Sequence, residues 1–281
     1  MSPAQAASRG LAMIVEVIDT PAVYSDAALP AATADAGRAS FWMLPDDTSA
    51  DLGGVVRARP QHLGSGIPYV DAFPVIEIHV GDRLQISLDD GIKYQAWKSG
   101  PFSLGPVLEY REAFRDKLAA GAHRIPDAVE GGGYVQWKTP VGDLETRLRR
   151  AIGSYSGWST STAFDTGGYV TPRLGIGLEL RGEWIDPRYT RSFLNIHPQY
   201  DPLFAFPHFG PQDYSTLGAQ LTAGYRLTSR LTVFTQGSFD RVLGQAWAPP
   251  VLHTRNIAII SLGLTWHLGK VVPFGKLPDG P

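Results

Sequence analysis

The 281-residue chain contains no cysteine, which excludes disulfides and cysteine-ligated zinc. It has no long apolar run. Nothing approaches the roughly 18 residues of a membrane-spanning helix, so helical spanning is excluded. That leaves strands untouched, because alternating faces dilute hydropathy. An excess of charge is absent too: the formal net charge is −2, which offers no electrostatic footprint for nucleic acid. Phosphate-binding glycine loops and His-Glu-x-x-His are missing. Gly131-Gly132-Gly133 precedes no helix and reads as relief of crowding within a strand. Met1–Ile18 lacks the pattern of an export leader, since Leu11–Ile18 is short and interrupted by Glu16.

What is abundant points to turns and membrane interfaces: 31 Gly, 22 Pro and 11% aromatic residues. The most informative stretch is Arg173–Ile185. Leu174, Ile176, Leu178, Leu180 and Trp184 share one parity; Arg173, Glu179, Arg181 and Glu183 share the other. Strand side chains alternate between faces, so one face is apolar and the other charged. A tilted strand crosses a bilayer in about 9–11 residues, which this run meets.

Such segments recur. Strands are expected at Leu52–Arg59, Asp71–His79, Arg83–Leu88, Ile92–Lys98, Phe102–Arg111, Glu130–Lys138, Asp143–Ile152, Trp158–Tyr169, Arg173–Ile185, Tyr214–Leu227, Arg230–Val242 and Thr254–Leu268. The even-numbered connections (Val80–Asp82, Ser99–Pro101, Thr139–Gly142, Thr171–Pro172, Thr228–Ser229) are all short, and every long connection is odd. Outer-membrane barrels sort their loops this way, with short periplasmic turns. The reading is therefore a closed antiparallel up-and-down transmembrane β-barrel of about 12 strands (10–12 allowed), with both termini periplasmic. Its domain limits are a poorly ordered tail over 1–50, a barrel over 51–269 and a second tail over 270–281.

With the apolar face outward, the interior holds Arg57, Arg59, Arg83, Glu109, Arg111, Glu145, Arg147, Arg149, Arg173, Glu179, Arg181, Glu183, Arg226 and Asp240, with arginine in excess. These charges either pair and fill a narrow lumen or form an arginine-rich constriction for small anions. Tyr110, Trp137, Trp158, Tyr169, Trp184, Tyr225 and Trp266 lie near strand ends and suit aromatic girdles. No catalytic, cofactor-binding or metal residue is assigned. His197, Asp201 and His208 share one loop but read as packing residues. Ser261 and His267 share a strand face three ladder positions apart and form no hydrolase site.

Several segments in order resemble the MltA-interacting protein (MipA)/OmpV family of outer-membrane proteins. They are Asp82-Arg83-Leu84; Phe102–Arg111; the Arg-Arg-x-Ile-Gly-x-x-x-Gly pattern of Arg149–Gly157; Tyr189–Phe193 before a Pro-rich loop; Gly224–Thr228; Arg241–Gly244; and Ser261–Trp266. The resemblance covers about Leu52 to Leu268. It implies a bacterial outer-membrane barrel without enzymatic activity or cofactor, in contact with outer-membrane lipid. The type member of that family joins a murein-degrading transglycosylase to a murein synthase, so peptidoglycan-remodelling enzymes are the implied partners. A narrow channel and a barrel lipid hydrolase are the alternatives.

Overall fold

The computed structural model describes residues 48–60, 68–111, 128–153, 156–189, 214–243 and 254–269. They form thirteen strands: β1 Thr48–Pro60, β2 Pro68–Val80, β3 Leu84–Ser87, β4 Gly91–Tyr94, β5 Trp97–Ser99, β6 Phe102–Arg111, β7 Ala128–Thr139, β8 Gly142–Ile152, β9 Trp158–Tyr169, β10 Leu174–Ile185, β11 Tyr214–Arg226, β12 Leu231–Leu243 and β13 Asn256–Leu268. Each pairs antiparallel with its neighbours. β1 pairs with β13, and β4 and β5 both pair with β6, so the sheet closes on itself. β4 and β5 together make one interrupted stave, which leaves the twelve staves expected from the alternation. The strands match the expected segments to within a few residues, and β1 starts at Thr48, inside the segment read as a tail.

The interruption has a local cause. Lys93 pairs with Val107 and Trp97 with Leu104, so Tyr94, Gln95 and Ala96 oppose only Gly105 and Pro106. The Ala96 N–H donates to the Leu104 carbonyl (3.0 Å). Backbone direction alternates along a strand, so Pro106 turns towards the same bulge, where it has no N–H to leave unsatisfied. At Gly105 a Cβ would overlap the Tyr94 carbonyl oxygen; only glycine admits so close an approach.

β2 uses proline similarly. The Leu88 N–H donates to the Ile76 carbonyl (3.1 Å), and the ladder to β3 ends there. Beyond it, the described residues place no strand on that side of β2. Pro68 and Pro74 share the parity of Ile76, so the unpaired edge lacks two donors. That blunts it against stray pairing.

The faces are those of a membrane barrel. Outward residues include Leu104, Leu108, Leu148, Leu178, Leu180, Leu221, Leu262 and Leu264, all exposed. Inward residues include Arg57, Arg111, Glu130, Glu145, Arg149, Glu179, Arg181, Glu183 and Asp240, all buried. A water-soluble barrel would invert this arrangement. Exposed Trp97, Phe102, Trp137, Tyr225 and Trp266 ring the short-turn end; Tyr110, Trp158 and Trp184 ring the other. Tyr169 does not join the girdle. It pairs with inward-facing Gly175 and so points into the barrel. Thr48 pairs with Val80, and Ala50 with both Ile78 and Leu268. The start of β1 and the end of β13 therefore share the rim of the short turns.

Leu178 sits midway along β10 on the outward face. Leu178→Arg is expected to destabilise the barrel by about 2–4 kcal/mol, the cost of a cation facing lipid near the midplane. The check is the urea midpoint of the vesicle-embedded protein. An unchanged midpoint would mean that this face meets water.

Candidate functional site: an ion-paired lumen

The inward charges sort into connected clusters. Near the long-loop end, Arg111 donates to Glu130 (2.7 Å) and to Glu183 (2.6 Å). Glu130 also accepts from the Ser159 hydroxyl (3.0 Å). Arg149 donates to Glu109, to Ser161 (3.1 Å) and to Glu183 (3.4 Å), and lies 3.4 Å from Glu130. Glu109 and Glu130 face each other across β6 and β7. Two like charges so placed repel, and Arg149 bridges them.

A second cluster lies deeper. Arg147 contacts Asp90 (2.6 Å), Glu109 (2.9 Å) and Glu145; Lys93 reaches Asp90 (3.2 Å) and Glu145 (3.5 Å). In a third, Arg181 holds Asp240 through two parallel bonds (3.0 and 2.8 Å) and also reaches Glu179 (3.2 Å) and Gln220 (3.3 Å). On β1 and β2, Arg57 grips Asp71 bidentately (2.9 Å twice) and Arg59 adds a third bond (2.8 Å). Their guanidinium groups lie over the rings of Phe73 (5.0 Å) and Tyr69 (5.3 Å). Paired, planar contacts of this kind are the strong class of charged hydrogen bond.

A cap closes the first cluster. After β10 the chain makes a helical turn at 187–189. The Tyr189 N–H donates to Asp186 (2.6 Å), and its side chain is 0% exposed. Its hydroxyl donates to Glu130, and Arg111 lies 5.5 Å from its ring centroid. Burial chiefly, with the carboxylate of Glu130 adding to it against the pull of Arg111, pushes the phenol far above its ordinary range. Tyr189 therefore stays protonated and donates.

A pocket of about 70 Å³ lies within this network, lined by Glu109, Arg111, Arg147, Arg149, Arg181 and Glu183 among others.

Of the residues expected to line the lumen, Arg57, Arg59, Glu109, Arg111, Glu145, Arg147, Arg149, Glu179, Arg181, Glu183, Arg226 and Asp240 face inward. Arg83 and Arg173 do not: both lie in exposed turns of the short-turn rim, past the strand ends where parity would have turned them in. Arg226 is buried at that rim, where it donates to the Pro172 carbonyl (3.4 Å). The expected arginine excess also fails. Asp71, Asp90 and Glu130, not anticipated from the sequence, join the clusters, and Asp51, Glu77, Asp143 and Asp165 also face inward, so among the described residues the acids are not outnumbered. Glu130 could have been found by extending the parity of Gln136 and Lys138 back along β7. Tyr189 could not, because it belongs to a connection with no period. His197, Asp201 and His208 fall outside the described residues. Ser261 and His267 both face inward, and the His267 ring contacts Asp51 (3.0 Å) rather than Ser261.

Asp89, in the turn between β3 and β4, is brought into the barrel beside Asp90 and lines the same pocket.

No curated protein sequence matches the chain. Among solved structures, it is similar to the NanC porin (8% identity, 78% of this chain and 100% of that one, TM-score 0.43). It is also similar to a loop-deletion mutant of OmpT, an outer membrane protein of Vibrio cholerae (8%, 79% and 98%, TM-score 0.36), and to an outer membrane channel from Pseudomonas putida F1 (7%, 83% and 100%, TM-score 0.38). This is a bacterial outer-membrane barrel, apolar and aromatic outside, charged within. The family described as MltA-interacting protein MipA matches residues 52–268, and the chain belongs to that family.

Proposed function

We propose that the protein is a non-enzymatic scaffold of the cell envelope, with its short-turn rim and both chain ends towards the periplasm and a peptidoglycan-remodelling enzyme as its partner. The observation that carries this reading is the pairing of the inward charges. Among the described residues, four clusters of ion pairs span the interior, and the pocket lined by Glu109, Arg149 and Arg181 has a volume of about 70 Å³. A lumen crowded in this way favours the rims as working surfaces. The family description names an interaction with MltA, which makes MltA the first partner to test. The orientation follows the habit of outer-membrane barrels, whose short turns face the periplasm.

The test is co-elution of the detergent-purified protein with purified MltA from the same bacterium. A stable complex supports the scaffold. Absence of a complex, together with discrete conductance in planar bilayers, would replace it with the channel reading.

A further inference from the structure

The lumen and the lipid face treat charge differently. Inside, Arg57, Arg111, Arg147, Arg149 and Arg181 each hold a carboxylate. Outside, among the described residues, the strands turn two charged side chains towards lipid, and both are arginine. Arg150 stands between exposed Leu148 and Ile152 on β8 and pairs across the sheet with the girdle residue Trp158. Arg241 stands between exposed Phe239 and Leu243 on β12, opposite Asn256 of β13. Arg150, Arg241 and Asn256 are all exposed.

The two arginines occupy the same station. Each is third from the end of its strand, and both strands end at the long-loop rim. At the short-turn rim no outward-facing strand residue among those described is charged; Arg83, Arg173 and Arg230 lie there in turns. A cation on the lipid face is costly near the midplane and tolerated near the interface. That accounts for the nearness of Arg150 and Arg241 to strand ends, but not for both being at one rim. Anchoring in headgroup water would serve either rim.

The described wall offers these cations no counter-charge. The cross-strand neighbours are Gly131 and Trp158 for Arg150, and Leu217 and Asn256 for Arg241, none of them acidic. The Arg150 guanidinium lies 5.8 Å from the Trp158 ring centroid, a contact that holds it at girdle level. Asn256 adds amide donors beside Arg241.

We infer that Arg150 and Arg241 are binding points for the phosphate groups of anionic lipids in the leaflet at the long-loop end. Planar guanidinium forks suit phosphate oxygens, and cations at the membrane surface attract anionic headgroups. The occupant is a lipid rather than free phosphate, because apolar side chains flank each arginine along its strand and suit acyl chains. β8 and β12 are four strand spacings apart, each about 4.8 Å, so each arginine takes its own lipid. The inference needs only the outward face of the barrel and stands apart from the scaffold reading.

The experiment measures binding of two fluorescent phosphate-bearing lipids, phosphatidylglycerol and lipid A, to the purified barrel in a neutral maltoside detergent. It compares the parent with Arg150→Gln/Arg241→Gln, the charge-retaining Arg150→Lys/Arg241→Lys and, at the opposite rim, Arg230→Gln. Migration as a compact barrel before heating verifies that each variant is folded. Support is binding of at least one probe that weakens tenfold or more in the glutamine pair, less in the lysine pair, and not at all in Arg230→Gln. Equal affinity of parent and glutamine pair for both probes overturns the inference. An equal loss in Arg230→Gln overturns it too, because the preference for one leaflet is then gone. Fluorescent diacylglycerol has the chains without the phosphate; if the parent binds it as tightly as either probe, phosphate is not what is recognised. Displacement of the lipids by inorganic phosphate at equal concentration overturns the lipid as occupant.

Discussion

Arg149→Ala is expected to lower the stability of the barrel by about 3–5 kcal/mol, the range for removing one partner from a buried ion pair. Arg149 is buried and lies among Glu109, Glu130 and Glu183. Glu109 and Glu130 sit directly opposite each other on β6 and β7, so the alanine leaves facing carboxylates where one cation had bridged them. Arg111 and Arg147 still hold one side of each acid, which keeps the cost within that range. Arg149→Lys keeps the charge but loses the planar fork, and its stability should fall between the two. Arg111→Ala with Glu130→Ala should cost less than Arg111→Ala alone, because one of the two carboxylates that Arg111 holds leaves with it, and Glu183 keeps Arg149 at 3.4 Å. Urea midpoints in lipid vesicles measure all four. A loss under about 1 kcal/mol for Arg149→Ala, the figure for solvent-exposed pairs, would mean that water reaches this network freely.

The second large effect is one of access. The native chain has no cysteine, so a single introduced thiol reports without background. Ser261 faces the lumen from β13 and is 1% exposed, whereas Val170 stands on a rim turn. With a membrane-impermeant maleimide on sealed vesicles, Ser261→Cys should resist labelling from either side. Val170→Cys should label at least tenfold faster, and from one side alone. Rapid labelling of Ser261→Cys would mean an aqueous path along the interior. Labelling of Val170→Cys from both sides would mean mixed insertion, to be resolved before the lumen result is read.

The twelve staves and their faces were legible because a bilayer imposes a period of two over long strands. Leu174 to Trp184 shows that period without interruption, and β10 follows it. The same rule misplaced Tyr169, Arg83 and Arg173, all at strand ends, where local turn geometry replaces alternation. Arg173 lies in a turn organised by the Thr171 hydroxyl, and parity has no meaning there. The balance of charge was legible only in part. Arginines stand out within strands, while Asp90 lies in a turn and Asp71 and Glu130 near strand starts. Tyr189 was out of reach, since its position depends on a helical turn that returns the chain into the barrel, a tertiary event with no local signature. The break between β4 and β5 did have a signature in Pro106 and Gly105, but it becomes readable only with the β6 register in hand.

A barrel filled by its own ion pairs leaves no path for ions. The most direct measurement is ionic current through the refolded protein in a planar bilayer at neutral pH. Baseline noise with no discrete steps at either polarity is the expected result. Reproducible unit conductance from protein inserted as a compact barrel would contradict it.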